Sequence, residues 1–323
     1  MQHEDVRAQF RRDLARPRQL VSPAWLAALT AGAPVAAPPS AHWRLLEVGC
    51  GVEALFEHAH IPAAAYVDSR EFECEPLWNK VADDVLLRLL LSHGVRHDTT
   101  VILYGRNNLA AARLAHLLLY AGVADVRLLD GGYAQWEAGR HPCIPGRTPP
   151  ADGRAVAAFG IAFPAHPEYL VDTGQARAML AAVDGALVSI RSEAEYTGKV
   201  SGYSYIAARG DIAGARWGLA GVDGDVNSMS AYHLADGRMK PAAAIVRQWR
   251  EQGIVEGQRL AFYCGTGWRA SMAFFYAWLM GWQRISVYDG GWLEWSGDPR
   301  NPVRCAAGGG VEPASLPMTS ASD

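Results

Sequence analysis

The feature that most constrains the fold of this chain is an internal repeat. The segment Asp-Gly-Gly-Tyr-Ala-Gln-Trp at 130–136 recurs as Asp-Gly-Gly-Trp-Leu-Glu-Trp at 289–295, an offset of 159 residues (289 − 130). At the same offset Gly105 falls on Cys264, with no gap between. Because both matches have the same offset, the two segments align without insertions or deletions, which indicates two copies of one structural unit. We therefore predict two homologous domains, which a length of 323 residues accommodates.

Each copy shows the same order of elements: strand, tight loop, helix, strand, Gly-Gly turn and helix. Strand–helix–strand units with such short turns produce a parallel sheet covered by helices. The predicted fold class is α/β, with two domains that each contain a mainly parallel sheet flanked by helices. The predicted elements are strands at 101–104, 126–129, 260–263 and 285–288, and helices at 109–120 and 271–280.

The domain boundaries follow from where the repeat and its looser upstream matches begin and end. We predict the first domain at 20–148 and the second at 167–303, with a linker that contains Pro and Gly at 149–166. Residues 1–19 form a charged N-terminal arm. Residues 304–323, rich in Ala, Gly, Ser and Pro, form a tail that we expect to be disordered.

The charge and hydropathy of the chain argue against nucleic-acid and membrane partners. The formal net charge is −3, so no overall basic field attracts nucleic acid or anionic lipid. The longest apolar runs, such as 114–120 and 272–280, are far shorter than a membrane span. Residues 1–18 carry many charges and lack the apolar core of a secretory signal, so we expect a cytoplasmic protein.

The cysteines do not form a metal-binding or disulfide pattern. Their number is odd, none lies in a CxxC pair and none stands beside a histidine at ligand spacing, so no metal or other cofactor is predicted. Cys50, Cys74 and Cys143 are interpreted as small buried hydrophobic residues, and Cys305 lies in the predicted tail. Cys264 alone stands in a context that needs a chemical explanation.

Cys264 begins the segment Cys-Gly-Thr-Gly-Trp-Arg-Ala at 264–270, between a predicted strand and a predicted helix. The strand delivers Cys264 to the carboxyl edge of the sheet, where ligands of open α/β folds bind. Gly265 and Gly267 let successive backbone N–H groups converge on one anion, and the helix points its positive end at the same place. Such surroundings lower the pKa of a cysteine thiol below its ordinary value. The pattern therefore predicts a reactive thiolate.

Taken together, these motifs resemble the rhodanese family. The resemblance rests on the paired Asp-Gly-Gly-x-x-x-Trp segments, on His-Ile-Pro at 60–62 and Gly-Asp-Ile-Ala-Gly-Ala at 210–215, and on the Cys-x-x-Gly-x-Arg loop; it covers nearly all of 20–303. Tandem rhodaneses of this kind have an inactive N-terminal copy and a catalytic C-terminal copy, which fits Gly105 opposite Cys264. The resemblance implies that Cys264 is the sulfur-accepting nucleophile and that its cradle consists of Gly265, Thr266, Gly267, Trp268, Arg269 and Ala270.

Three side chains near this loop have roles that the sequence leaves open. Arg191 matches the arginine of the family's Asp-x-Arg strand end, which often faces the anionic substrate, but a structural ion pair explains it equally well. Arg269 either offers a positive charge to an anionic donor or braces the loop by pairing with a carboxylate of the fold. Trp268 either stacks on an acceptor or covers the site.

Departures from the family pattern bear on the choice of donor. Thiosulfate-preferring tandem enzymes often carry basic residues directly after the cysteine, where this chain has Gly265 and Thr266. The Cys-Gly-Thr-Gly beginning is closer to the Cys-Gly-Ser-Gly of mercaptopyruvate sulfurtransferases. Those enzymes continue with Val-Thr in place of Trp268 and Arg269, and their second arginine, near the position of Thr197, is absent here.

The complete loop Cys-Gly-Thr-Gly-Trp-Arg also resembles that of rhodanese relatives that transfer persulfide sulfur to hercynine, making ergothioneine. An inserted segment at 200–208 carries Tyr203 and Tyr205. This segment either shapes a larger acceptor pocket or is a surface loop rich in aromatic residues.

The predicted function is sulfur transfer by double displacement through a persulfide on Cys264. The predicted partners are a small-molecule donor (thiosulfate, mercaptopyruvate or polysulfide) and a nucleophilic acceptor, either a small molecule or a thiol of a small molecule or protein. The alternative acceptor is hercynine. A rhodanese-like phosphatase is disfavoured, because its loop has five residues between Cys and Arg and this chain has four. The intact loop around Cys264 disfavours a non-catalytic binding module.

Overall fold

The structure is a computed structural model that describes residues 10–147 and 155–304. Most of the predicted tail, together with Cys305, and parts of the predicted arm and linker lie outside these residues. The strands are β1 (Leu20–Val21), β2 (Arg44–Gly49), β3 (Ala64–Asp68), β4 (Glu73–Cys74), β5 (Asn79–Lys80), β6 (Thr100–Tyr104), β7 (Asp125–Leu129), β8 (Leu170–Val171), β9 (Gly185–Ser189), β10 (Asp211–Ile212), β11 (Arg216–Trp217), β12 (Arg259–Tyr263), β13 (Ile285–Tyr288) and β14 (Val303–Arg304). The α-helices are α1 (Pro23–Thr30), α2 (Glu53–His58), α3 (Asp83–Ser92), α4 (Asn108–Ala121), α5 (Gly132–Ala138), α6 (Thr173–Ala181), α7 (Glu193–Tyr196), α8 (Ala242–Glu251), α9 (Trp268–Leu279) and α10 (Gly291–Gly297).

Two five-stranded sheets form the framework. The first has the strand order β1-β7-β6-β2-β3, and the second, read from β8, has the order β8-β13-β12-β9-β11. All neighbouring strands in both sheets are parallel. The two sheets have the same topology, which confirms the predicted α/β class with two parallel-sheet domains flanked by helices.

The helix after Cys264 begins earlier than the sequence predicted. It starts at Trp268 rather than at residue 271, because Gly267 adopts a φ of +110° and turns the chain directly into the helix. A left-handed φ of this kind favours glycine. The first turn of α9 therefore includes Trp268 and Arg269, and it lies immediately beside Cys264.

Helices α4 and α9, which follow the equivalent loops at Gly105 and Cys264, pack against each other at the centre of the molecule. Every residue at 109–121 and at 269–279 is buried. A helix that is hydrophobic on all sides belongs inside a core. One hydrophobic cluster accordingly runs through both domains, and no helix in the described segments is long and apolar enough to cross a membrane.

The aspartates of the repeated motif accept hydrogen bonds from the opposite domain. The backbone N–H of Lys80, in the β4–β5 hairpin, donates to Asp289 Oδ2 at 2.9 Å. In the reverse direction, the N–H of Met239 donates to Asp130 Oδ1 at 2.8 Å. The two donors differ by the same 159 residues (239 − 80) as the two acceptors. The sequence repeat is thus also a repeat of contacts across the domain interface.

Candidate active site

Cys264 lies directly after strand β12, at the carboxyl edge of the second sheet. Its side chain is buried, and the backbone N–H of Gly267 donates to its Sγ at 3.2 Å. The first four N–H groups of a helix have no acceptor inside the helix and point out along its axis, and in α9 they belong to residues 267–270. The positive end of the helix dipole adds to them. The surroundings of Cys264 are therefore those of an anion site at a helix N-terminus.

Gly265 has a different contact from the one expected of a cradle residue. Its N–H donates to the hydroxyl of Tyr203 at 3.0 Å instead of to Cys264. A Cβ at position 265 would lie 2.3 Å from the Tyr203 ring, so glycine is needed for this close approach. Tyr203 of the segment at 200–208 is consequently packed on the loop, whereas Tyr205 of the same segment is exposed.

Arg269 is buried in an ion pair. Its two terminal nitrogens each lie 2.8 Å from an oxygen of Glu195, and Nη2 also donates to the Tyr203 hydroxyl at 2.5 Å. Although burial acts to raise it, the pKa of Glu195 is held below its ordinary value by Arg269. Arg269 also lines the cavity in front of Cys264. Its charge is already balanced, so its contacts are those of a brace that holds the first turn of α9.

Arg191 was left open between substrate binding and a structural ion pair, and its contacts support the second role. It is fully buried and donates to Asp211 Oδ2 at 3.2 Å and to the carbonyl oxygen of Gly210 at 2.6 Å. Its guanidinium also lies 5.0 Å from the ring centroid of Trp292. Arg191 is not among the described residues that line the cavity at Cys264, so of the two roles that the sequence left open its contacts favour the structural ion pair.

A cavity of about 250 Å³ opens in front of Cys264 and is lined by both domains. Thr266, Tyr203 and Tyr205 contribute from the second domain, so the predicted insertion does shape this space. Ala270 is buried in the first turn of α9 behind it. The complete lining consists of Cys50, Ser69, Glu73, Trp78, Tyr203, Tyr205, Val226, Asn227, Cys264, Thr266, Trp268 and Arg269.

Trp268 connects the loop to the first domain. Its Nε1 donates to Glu73 Oε2 at 2.8 Å, and Glu73 Oε1 accepts from Arg113 at 2.9 Å. Arg113 also donates to Asp289 at 2.5 Å. Burial raises the pKa of Glu73 from its ordinary 4.5 to about 7, although Arg113 acts in the opposite direction. Trp268 is therefore a fixed wall of the cavity.

The sequence did not identify the first-domain side of this cavity. Glu73 and Trp78 lie on the β4–β5 hairpin, and no local sequence pattern distinguishes them from ordinary hairpin residues. Trp78 has a φ of +59°, a conformation that is uncommon for a bulky residue and often found at functional sites. No signal in the sequence alone connects this hairpin to the second domain, because the contact of Lys80 with Asp289 is made across 209 residues.

Three cysteines are more exposed than predicted. Cys50, Cys74 and Cys143 were interpreted as buried, but all three are exposed. Cys50 follows the end of β2, where the chain leaves the sheet through Gly51 at a φ of +65°. Cys74 lies on a two-residue strand of a hairpin, and Cys143 lies beyond the end of α5. Positions at the ends of core elements are not sheltered by the core, which explains the error.

The equivalent loop of the first copy has a different shape. A Cβ at Gly105 would lie 2.6 Å from the carbonyl oxygen of Asn107 and 2.8 Å from that of Val48. The Asn107 side chain accepts from the N–H of Leu109 at 3.1 Å and caps α4. A side chain thus occupies the helix N-terminus that an anion would use, and position 105 has no space for a thiol.

The sequence and the fold are both similar to those of known sulfurtransferases. A family model described as Rhodanese-like domain matches residues 37–139 and 172–298. The chain is 52% identical over 285 residues to the thiosulfate sulfurtransferase YnjE of Escherichia coli, an alignment that covers 88% of this chain and 65% of YnjE. It therefore spans slightly less than two thirds of the length of that relative. The crystal structure of YnjE superimposes with a TM-score of 0.86 at 50% identity, covering 90% of this chain and 69% of the other.

A second group of similar structures concerns ergothioneine. The anaerobic ergothioneine biosynthesis enzyme from Chlorobium limicola, in complex with its natural substrate trimethyl histidine, superimposes with a TM-score of 0.84 at 37% identity. That alignment covers 90% of this chain and 71% of the other. A structure of EanB, with 36% identity and a TM-score of 0.85, contains a cysteine persulfide together with ergothioneine in a tetrahedral intermediate state and carries a Tyr-to-Phe substitution; it covers 90% of this chain and 71% of the other.

Proposed function

This chain belongs to the rhodanese family, and from that premise we propose that it transfers sulfane sulfur through a persulfide on Cys264. The observation that carries the proposal is the position of the Cys264 thiol at the N-terminus of α9, where the Gly267 N–H donates to Sγ. Backbone donors at a helix N-terminus stabilise a thiolate, which is the nucleophilic form of cysteine. A persulfide anion on the same residue would be stabilised by the same groups.

The proposed reaction has two displacements. The Cys264 thiolate attacks the outer sulfur of a donor such as thiosulfate, mercaptopyruvate or polysulfide, and the remainder of the donor leaves with the electron pair of the broken bond. An acceptor nucleophile then attacks the outer sulfur of the persulfide, and Cys264 leaves as a thiolate. Tyr203 and the Arg269–Glu195 pair hold the loop during both steps, because they contact Gly265 and the first turn of α9.

We propose hercynine as a second candidate acceptor, on the basis of the cavity wall. Tyr203, Tyr205, Trp78 and Trp268 present aromatic rings to the cavity, and aromatic faces attract a quaternary ammonium group. The Glu73 carboxyl group on the same wall adds an acceptor for a polar or positively charged group.

A spacing in the sequence supports the same candidate. Tyr205 precedes Cys264 by 59 residues, and the tyrosine replaced in the EanB persulfide structure precedes its persulfide cysteine by the same distance. Thr266 follows Cys264 by two residues, as does the threonine replaced by valine in another EanB structure with hercynine.

The proposed function is tested by following sulfur on the protein. Wild type, Cys264→Ser and, as a matched control, Cys74→Ser are treated with a sulfane donor and analysed by peptide mass spectrometry. We expect a gain of roughly 32 Da on the Cys264 peptide in wild type and Cys74→Ser, and no turnover by Cys264→Ser, because an alcohol does not form a persulfide. Sulfur on other cysteines with Cys264 unmodified would contradict the proposal. A panel of cyanide, thiols and hercynine as acceptors then separates the two candidates.

A further inference from the structure

A second thiol lines the cavity in front of Cys264. Cys50 comes from the first domain, directly after β2 at the carboxyl edge of its sheet. Cys50 is exposed whereas Cys264 is only 2% exposed, so Cys50 lies on the solvent side of the cavity and Cys264 on its inner side. Cys74 and Cys143 are also exposed, but neither lines this cavity. Of the four cysteines in the described residues, Cys50 and Cys264 are therefore the two that line this cavity.

The turn that carries Cys50 is held beside a positive charge. The N–H of Gly51 donates to Asp68 Oδ2 at 2.8 Å, and Asp68 pairs with Arg70 at 2.8 Å. A Cβ built on Gly51 would lie 3.8 Å from Nη2 of Arg70, which places the guanidinium next to this turn. Asp68 and Arg70 together therefore fix the position of the turn that carries Cys50.

A buried hydroxyl on the same wall has no partner. Ser69 is 1% exposed, it lines the cavity, and its Oγ makes no hydrogen bond within the described part of the chain. Buried polar groups are nearly always satisfied, and an exception at a cavity points to a ligand atom. The polar atom that Ser69 lacks would be supplied by a group bound in this cavity.

The size of the cavity limits which acceptors reach Cys264 directly. A volume of about 250 Å³ holds one small molecule. Tyr203 and Trp268 are fixed by hydrogen bonds to Gly265 and Glu73, so the wall does not open by simple side-chain rotation. A thiol carried by a peptide or protein is too large for this space and reaches only the solvent side.

We propose, building on the persulfide function proposed above, that Cys50 takes sulfane sulfur from Cys264 and presents it to bulky thiol acceptors. The Cys50 thiolate attacks the outer sulfur of the Cys264 persulfide. The S–S bond to Cys264 breaks, Cys264 leaves as a thiolate, and the proton on the outer sulfur stays with it, giving a persulfide on Cys50. One S–S bond forms and one breaks, so no oxidant or reductant is consumed.

The test is a time course with one equivalent of polysulfide. Wild type, Cys264→Ser, Cys50→Ser and Cys74→Ser, each as the full chain, are quenched with an alkylating agent at successive times, and every cysteine peptide is analysed by mass spectrometry. In wild type and in the control Cys74→Ser we expect a gain of roughly 32 Da first on Cys264 and later on Cys50. Cys264→Ser should show no sulfur on Cys50. In Cys50→Ser the sulfur should stay on Cys264, and turnover with a cysteine-containing peptide as acceptor should be lost.

Three outcomes would overturn the inference. Equal labelling of Cys50 in Cys264→Ser and wild type would mean that an exposed thiol reacts with the donor directly. A Cys50–Cys264 disulfide with release of sulfide would mean that Cys50 attacks the inner sulfur and ends the cycle instead of carrying sulfur. A labelled Cys264 with Cys50 never labelled would refute the relay but leave the proposed function standing, whereas an unlabelled Cys264 would refute both.

Discussion

Arg269 pairs with Glu195 where neither side chain has contact with bulk water. Arg269 is 1% exposed and Glu195 is 2% exposed. A charge buried with its partner is tolerable, but removal of one partner leaves the other unpaired in a medium that solvates it poorly. The integrity of the loop therefore depends on both charges being present.

We predict that Arg269→Ala lowers the free energy of unfolding by about 3–5 kcal/mol, because it leaves Glu195 buried without its partner. The matched control is Arg300→Ala, which removes an arginine that is 82% exposed and pairs with Asp298; its expected effect is about 0–1 kcal/mol. Chemical denaturation measures both. Equal effects would show that the buried pair does not hold the loop.

Glu73, at the domain interface, makes the free energy of unfolding depend on pH. Because burial raises its pKa to about 7, the folded state binds a proton that the unfolded state has released above its ordinary pKa of 4.5. The stability contributed by Glu73 is therefore complete below pH 4.5 and is lost as the pH rises through 7.

We predict that Glu73→Gln removes this part of the pH dependence. Wild type should lose roughly 3 kcal/mol between pH 4.5 and 8 through this group, since each pKa unit corresponds to about 1.4 kcal/mol, and the variant should show a flatter profile. Thermal unfolding across this pH range measures the difference, with Glu256→Gln, an exposed glutamate, as the control. Parallel profiles for Glu73→Gln and wild type would refute the assignment.

At the scale of elements, the two strand–loop–helix turns have diverged in chemistry. After β12 the loop places Cys264 at the N-terminus of α9, where the Gly267 N–H donates to its Sγ, whereas after β6 the Asn107 side chain caps α4. The first turn also anchors Arg106, which pairs with Glu47 at 3.0 Å and lies 4.1 Å above the Tyr133 ring. Only the second turn retains an open anion site.

We predict that Gly105→Cys in the Cys264→Ser background gives no persulfide turnover and lowers the free energy of unfolding by about 1–3 kcal/mol, because the new Cβ meets backbone oxygens at 2.6 and 2.8 Å. Gly297→Cys in the same background is the matched control, since a Cβ at position 297 meets nothing within 4 Å. Thiol titration with polysulfide and denaturation provide the readouts. Turnover near the wild-type rate from position 105 would show that the first turn still forms a working cradle.

At the scale of the whole molecule, residues of both domains form the proposed active site. Arg113 of the first domain is fully buried, and it bridges Glu73, which binds Trp268, and Asp289 of the second repeated motif. Helices α4 and α9 pack against each other across the same interface. The first copy, whose loop has Gly105 in place of a cysteine, thus supplies one wall of the cavity and the charge that holds the other.

We predict that Arg113→Ala lowers the free energy of unfolding by about 3–5 kcal/mol and separates the unfolding of the two domains, because two buried carboxylates are left without a cation at the interface. Arg88→Ala, which removes an exposed arginine paired with Asp84, should cost less than about 1 kcal/mol. Differential scanning calorimetry should show two resolved transitions for Arg113→Ala and the wild-type profile for Arg88→Ala. A single transition at the wild-type temperature would contradict the role of Arg113.

Local patterns in the sequence were sufficient to predict the repeat, the parallel α/β class and the loop at Cys264. The strand before that loop is an apolar run and Gly265 and Gly267 follow within three residues, so the turn into a helix depends on neighbours along the chain. The equivalence of Gly105 and Cys264 likewise came from a fixed offset. Features of this kind are readable because backbone conformation is set mainly by adjacent residues.

The partners of buried charges and the lining of the cavity were decided only by the tertiary structure. Glu73 meets Trp268 across 195 residues of sequence, and Arg113 meets Asp289 across 176. Arg191 matches a family motif, yet its direction depends on Asp211 and Trp292, which the motif does not specify. An arginine can pair with an anionic substrate or with a carboxylate of the protein, and its local sequence does not distinguish the two. The packing of elements that are distant in sequence decides which partner lies close enough to bind.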